Sequence, residues 1–169
     1  MEQVDIRFQY MEQEFVKAVR KYLLATGTIK KVDMVLAVIG VPCALIYWFI
    51  SPAEWLSVLL LVCTIVLSGV IGFLYFFGPV LSFRKTPKYG QEYHLNFSEE
   101  RILFETAEIN SELKWEIYTA LLESEDCYYL VQTKQIYSVV PKRAFAGDAE
   151  KLAFERMAEQ GTKSTKRNI

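Results

Sequence analysis

Three cations flank a strand-patterned stretch: Lys134 before it, and Lys142 and Arg143 directly after Pro141 in VVPKRAF (139–145). Cations so placed could hold an anionic headgroup or an acidic peptide, because charge-assisted hydrogen bonds to phosphate or carboxylate are the strong ones. The competing reading is a strand ended by a proline, which has no N–H for a ladder, with ordinary solvated charges after it. A second candidate surface is aromatic. Trp115, Tyr118, Tyr128, Tyr129 and Tyr137 could line a groove, or fill the core of a small curved sheet.

Other chemistry is sparse. His94, the single histidine, lies out of phase with Tyr93 and Leu95 and has no serine or cysteine nucleophile motif beside it, so acid–base or triad catalysis is not expected. Glu123, Glu125 and Asp126 could attract a cation, but they lack the glycine-bearing spacing of a calcium loop and read as a solvated turn. Cys43, Cys63 and Cys127 form no CxxC pair. No zinc site or disulfide framework is expected; they read as small buried side chains on a reducing, cytoplasmic side. GxxxxGK, GxGxxG, HExxH and GxSxG are all absent from the sequence. The expectation is no enzyme, no cofactor and no metal. A net charge of −1 gives no basic field for nucleic acid.

The elements that carry these residues divide sharply by composition. The chain is 52% hydrophobic, with a mean hydropathy of +0.15, high for a water-exposed domain. The excess sits in two uncharged runs, MVLAVIGVPCALIYWFI (34–50) and WLSVLLLVCTIVLSGVIGFLYFF (55–77). Roughly 20 apolar residues in a helix cross a hydrocarbon core. We read a transmembrane hairpin over 32–83, with spans at about 32–50 and 55–79 and SPAE (51–54) as the turn. The first thirty residues lack the apolar core of a signal peptide, so the first span is expected to act as the insertion signal. Lys17, Arg20, Lys21, Lys30 and Lys31 precede the hairpin, and Arg84, Lys85 and Lys88 follow it. The loop holds Glu54 and no cation. The positive-inside rule then predicts a multi-pass protein with both termini cytoplasmic. Asp33 reads as a boundary marker, and no ionisable group lies within either span, which argues against a transporter or channel. Gly40 and Ala44, and Ser68 and Gly72, are pairs four apart that bring small residues to one helix face. They predict packing within the hairpin or, alternatively, between copies. Gly78 and Pro79 are expected to end or kink the second helix.

The remainder alternates. Strands are predicted at 3–10, 92–97, 101–106, 111–124 (with a bulge near Tyr118), 128–133 and 136–140, the last two joined by the two-residue turn KQ. Helices are predicted at 11–26, where Phe15, Val19 and Leu23 share a face, and at 147–160. The latter has Asp148 as N-cap, Leu152, Ala153 and Met157 on one face with Phe154 flanking, and Gly161 as its stop. A strand cannot fold alone, so 3–10 is expected to join the sheet of 91–140. The domain plan is an N-terminal strand and helix (1–29), the hairpin (32–83), a sheet with its helix (89–161) and a basic tail (162–169).

The stretch LKWEIYTALLESEDCYYLVQTKQIYSVVPKRAF (113–145), with Trp115 on a long strand, Tyr128 and Tyr129 on the next, and Pro141 and Phe145 before a last helix, resembles the YcxB-like family of bacterial membrane proteins. The resemblance implies an α+β membrane protein: a helical hairpin plus a small antiparallel, pleckstrin-homology-like sheet or half-barrel with a C-terminal helix, in a bacterial inner membrane. It implies no catalytic residue and no cofactor. The function expected is a membrane-anchored cytoplasmic module that binds a peptide, a protein partner or a lipid headgroup. The alternative is a structural protein that assembles with itself through the hairpin.

Overall fold

The computed structural model describes residues 3–106, 110–163 and 167–169, with the backbone alone for Pro87 and Lys88. It divides into two compact units, Met1–Ala18 with Thr86–Ile169, and Val19–Lys85.

In the first unit, strands β1 (Gln3–Gln9), β2 (Glu92–Ser98), β3 (Arg101–Glu105) and β4 (Asn110–Lys114) form an antiparallel sheet in that order. Val4, Ile6 and Phe8 are buried while Gln3, Asp5, Arg7 and Gln9 are exposed, the period-2 pattern of a sheet with one covered face. The register sets Phe8 opposite Tyr93, Ile6 opposite Leu95 and Val4 opposite Phe97. Phe8 stacks on Tyr93 at 5.5 Å between ring centroids. Tyr10, just past β1, packs edge-on to Tyr93 at 5.1 Å. A second sheet has the order β7 (Tyr137–Pro141), β6 (Cys127–Val131), β5 (Ala120–Glu123), β8 (Arg167–Asn168). All five residues of β6 are buried. Only the β5–β8 pair is parallel among the described strands.

The expected single strand over 111–124 is two strands in two different sheets. A 3₁₀ turn, Trp115–Ile117, separates β4 from β5. Trp115 and Tyr118 are both buried, at 3% and 2% exposure, while Ile117 is 44% exposed. An alternating strand cannot bury positions three apart. The indole Nε1 donates to the Ser98 carbonyl at 2.7 Å, fixing the corner. The KQ turn is also longer than expected. Residues 132–136 form the loop, closed by Gln132 N–H and Thr133 N–H donating to the Ile136 carbonyl at 2.9 and 3.0 Å. Ile136 therefore leaves the strand and is exposed.

Helix α5 (Asp148–Gly161) begins with Gly147, not Asp148, in the N-cap position. The Glu150 carboxylate accepts from the Ala146 N–H at 2.8 Å instead. The buried face is Ala153, Phe154, Met157 and Ala158, and Leu152 faces out at 57% exposure. The apolar stripe is thus rotated so that Phe154 is central. Its ring lies 4.7 Å from Phe97, 5.2 Å from Tyr128, 5.3 Å from Phe145 and 6.2 Å from Trp115. Gly161 is the last helical residue rather than a stop beyond the helix. A Cβ there would come 2.3 Å from the Trp115 Cβ, so no other residue fits without displacing the corner.

The boundary between the units falls within helix α1 (Glu12–Ala25). The second unit continues through α2 (Lys31–Ile50), α3 (Trp55–Gly72), a five-residue π turn (Phe73–Phe77) and α4 (Gly78–Lys85). Lys31–Ile50 and the continuous helix Trp55–Lys85 are long and apolar enough to cross a membrane by length and composition. Only 6% of the most apolar window of each is buried. Ser57 closes the turn, donating to the carbonyls of Ser51 and Glu54 at 2.8 and 2.7 Å. A Cβ on Gly40 would meet Thr64 Cγ2 at 3.1 Å, Ala44 is buried, and Ser68 Oγ donates to the Ala37 carbonyl at 3.3 Å. Gly72 has open space around it.

Gly78–Pro79 does not end the helix. Proline cannot donate to the carbonyl four residues back, which here is Tyr75. The π turn absorbs the misfit, with Gly78 N–H bonded to the Phe73 carbonyl. Arg20 donates at this turn, Nε to the Tyr75 carbonyl and an Nη to that of Phe76, both at 3.1 Å, with its guanidinium over both rings.

Truncating Phe154 to alanine removes the side chain shared by both sheets. Large-to-small core changes of this kind cost about 3–5 kcal/mol. Denaturant unfolding in detergent, followed by tryptophan fluorescence, is expected to show a loss in that range. Exposed Leu152→Ala is expected to change stability by about 0.5 kcal/mol or less.

Candidate functional site

The basic corner is built by the last strand. β7 ends on Pro141, paired with Cys127, and Lys142–Ala144 make a 3₁₀ turn. Lys142 Nζ donates to Glu123 at 2.5 Å and lies 4.9 Å over the Tyr128 ring. Arg143 forms a bidentate pair with Glu14, Nε at 2.9 Å and Nη2 at 2.8 Å, and Nη2 also donates to the Gln9 carbonyl at 2.7 Å. The Glu14 carboxylate holds the guanidinium pKa above its ordinary value. Both cations therefore already have carboxylate partners within the unit. Lys134 is exposed in the 132–136 loop, at the opposite end of the β6–β7 ladder from Pro141. The four strand steps from Tyr137 to Pro141, about 3.3 Å each, already span roughly 13 Å, and Lys134 lies beyond them, too far for the three to grip one headgroup phosphate.

The aromatic candidates are core. Trp115, Tyr118, Tyr128 and Tyr129 are at most 3% exposed, and Tyr137 is half-buried. Tyr129 OH donates to the Ala18 carbonyl at 3.0 Å, and Tyr128 OH to Glu155 at 2.5 Å. Burial first, and the Glu155 contact second, raise the Tyr128 pKa. Among the described residues no group of three or more His, Cys, Asp or Glu side chains could hold a metal ion. Burial pushes the Cys127 thiol up to about 12, which leaves it protonated at neutral pH and a poor nucleophile or ligand. Of the acidic turn, Glu123 pairs with Lys142 and Asp126 with Lys17, the latter at 2.6 Å.

His94 has a setting that one-strand reasoning missed. The register places Arg7 opposite His94 and His94 opposite Glu105, with Asp5 opposite Asn96. On this polar face His94 Nε2 lies 2.8 Å from Asp5 Oδ1, and Nδ1 lies 3.1 Å from Glu105 Oε2. Asn96 donates to Asp5 at 3.3 Å. With both ring nitrogens engaged by carboxylates, the doubly protonated ring suits the site. The hydrogen bond to Asp5 is the largest influence raising the His94 pKa, and His94 lowers that of Asp5 in return. The geometry fits a cross-strand tie, not a general base. The only signal in the sequence is polar residues at alternating positions of three separate segments; the register brings them together.

The outer edge of β5 carries another strand. Leu122 pairs with Arg167 and Glu123 with Asn168 in parallel, and the Ile169 N–H donates to the Glu123 carbonyl at 2.8 Å. Earlier along the same edge, the Lys163 N–H reaches the Tyr118 carbonyl at 3.5 Å.

Residues 97–158 match the family model of the YcxB-like proteins. No curated protein and no solved structure matches the chain. The YcxB-like segment opens on Phe97 and contains Trp115, Tyr128, Phe145 and Phe154, so the match takes in the whole aromatic cluster that joins the two sheets.

Two outcomes are expected here. His94 titrates by NMR above its ordinary 6.5, and Asp5→Asn moves it back toward that value. Because the His94 pKa is raised, its stabilisation is full below pH 6.5 and is lost as pH rises through the folded value. Asp5, lowered from 3.8, contributes above that pH and loses its share as pH falls through its folded value. Stability of the sheet should therefore peak between these limits, and His94→Gln should remove the fall on the alkaline side. For the corner, Arg143→Ala should cost about 1 kcal/mol, the value for a partly exposed bidentate pair after solvent screening. A double-mutant cycle with Glu14→Ala is expected to recover most of it as coupling.

Proposed function

We propose that the protein is a membrane-anchored interaction module of a bacterial inner membrane. Its α+β unit would stand in the cytoplasm and bind an extended segment of a protein partner. The observation that carries the anchoring is the pair of long apolar helices whose side chains are exposed on nearly every side; a core helix of a water-soluble protein would bury them. The β1–β2 ladder supports the topology. The segment between these strands leaves one sheet and returns to it, so an even number of crossings is required. The cation-bearing flanks and the cation-free turn favour both ends inside.

Four antiparallel strands, a corner, three more strands and a closing helix support a pleckstrin-homology-like reading of the first unit. Binding through a strand edge is favoured over binding through the basic corner, because Lys142 and Arg143 already meet Glu123 and Glu14. Assembly through the hairpin has less support, since Gly40 and Ser68 are used in contacts within it.

The test is made in cells. Glu54→Cys, in a background with the three native cysteines replaced by serine, should react with an impermeant maleimide without permeabilisation, and the protein should resist carbonate extraction. Labelling that needs permeabilisation would reverse the orientation, and release by carbonate would remove the anchor. A photoreactive residue at Ala120 should give a discrete protein adduct in native membranes. Adducts to lipid alone would overturn the partner reading.

A further inference from the structure

We infer that Arg20, held on the π turn at the cation-bearing end of the hairpin, binds the phosphodiester of an anionic phospholipid headgroup, and that Lys30 and Lys31 select headgroups of net negative charge. The inference goes beyond the interaction-module reading and rests on its membrane anchor alone.

An arginine carries its N–H donors in two forks. Arg20 commits one of them, Nε and an N–H of Nη2, to the carbonyls of Tyr75 and Phe76. The rings of the same two residues lie 5.4 and 5.5 Å from its Cζ. Two carbonyls and two rings fix the plane of the half-buried group, and all four are neutral. Among the described residues no carboxylate forms an ion pair with Arg20, whereas Arg101 and Arg143 have Glu112 and Glu14. Its second fork, Nη1 with the other N–H of Nη2, is the planar pair of donors that matches two oxygens of one phosphate. Because the side chain is already immobilised, little rotamer freedom is lost when that phosphate binds.

The depth is right for a headgroup. A helix crosses a hydrocarbon core of about 30 Å in roughly 20 residues. Counted from Trp55, the first residue of α3, that length ends near Tyr75, where the polar headgroup region begins. The partner helix agrees. Gly40 lies against Thr64, and Ser68 donates to the Ala37 carbonyl. Each step along α2 toward Lys31 therefore matches a step along α3 toward Tyr75, and Lys30 and Lys31 come level with the π turn. Both lysines are exposed. The carboxylate beside them, Asp33, accepts the Lys30 N–H at 3.0 Å as a helix cap, and three cations against one anion leave this end positive. An ethanolamine headgroup would bring its own ammonium next to the two lysines; a glycerol headgroup would not.

The experiment is native mass spectrometry of the full chain in detergent, titrated with dioleoyl phosphatidylglycerol or dioleoyl phosphatidylethanolamine. One phosphatidylglycerol per chain should bind at least about tenfold tighter than phosphatidylethanolamine, as expected for a charge-assisted bidentate contact. Arg20→Lys keeps the charge and the topology mark but has no second fork, and should lose most of that preference. Lys30→Gln with Lys31→Gln leaves the π turn untouched and should weaken phosphatidylglycerol alone. Near-ultraviolet circular dichroism checks packing; if Arg20→Lys unfolds, the lysine pair and the lipid ratio of the unaltered chain decide. Equal binding of the two lipids, or a preference that survives the lysine pair, would overturn the inference. Glycerophosphoglycerol, the same headgroup without acyl chains, should not displace the lipid; displacement would make the ligand a soluble phosphate and end the lipid assignment. The maleimide and carbonate tests read the membrane anchor separately, so a failure here leaves the anchor standing.

Discussion

The first unit is organised around Phe154. Its ring meets Phe97 of one sheet, Tyr128 of the other, Phe145 from the segment before the helix and Trp115 from the corner between sheets. Two four-stranded sheets this small bury little apolar surface singly, and a helix placed across both supplies what each lacks. The requirement propagates outward. Trp115 can turn inward only if the chain breaks its strand, so β4 and β5 part. Gly161 must lack a side chain so that the last turn of α5 can lie against that indole. The YcxB-like match spans this same set of aromatic residues.

A second constraint is the ladder between β1 and β2. Strands more than eighty residues apart in the chain are hydrogen-bonded along seven positions, so everything between them is an excursion from one sheet. The two long apolar helices lie within that excursion. Within that segment, proline sets its own local condition. Pro79 leaves the Tyr75 carbonyl without its helical donor, the π turn takes up the extra residue, and Arg20 bonds the exposed carbonyls. An arginine that reads as a topology marker in the sequence also has a structural task.

Several charged side chains of the first unit are paired with one another. Arg143 binds Glu14 and the Gln9 carbonyl, Lys142 binds Glu123, Lys17 binds Asp126, and His94 lies between Asp5 and Glu105. Several of these ties join residues near the start of the chain to residues from its second half. They select one arrangement of the two halves more than they add stability, since partly exposed pairs are weak singly.

The sequence by itself determined the local elements. Apolar runs without charge marked α2 and α3, alternation marked β1, β2 and β3, and a helix was legible near 148–161. These follow from nearest neighbours along the chain, where side-chain periodicity is a direct record of which face is covered. The tertiary structure alone decided where periodicity breaks and what meets what. The 111–124 stretch divides between sheets because Trp115 and Tyr118 both turn inward, and no one-dimensional pattern distinguishes that from a bulge. Leu152 and Phe154 are equally apolar in sequence, yet only Phe154 lies where four other rings converge. Lys142 and Arg143 look like a ligand site until Glu123 and Glu14 are brought to them from 19 and 129 residues away. His94 looks solitary until the register supplies Asp5. Such partners are chosen by long-range register, which is a property of the assembled sheets and is written in no single segment.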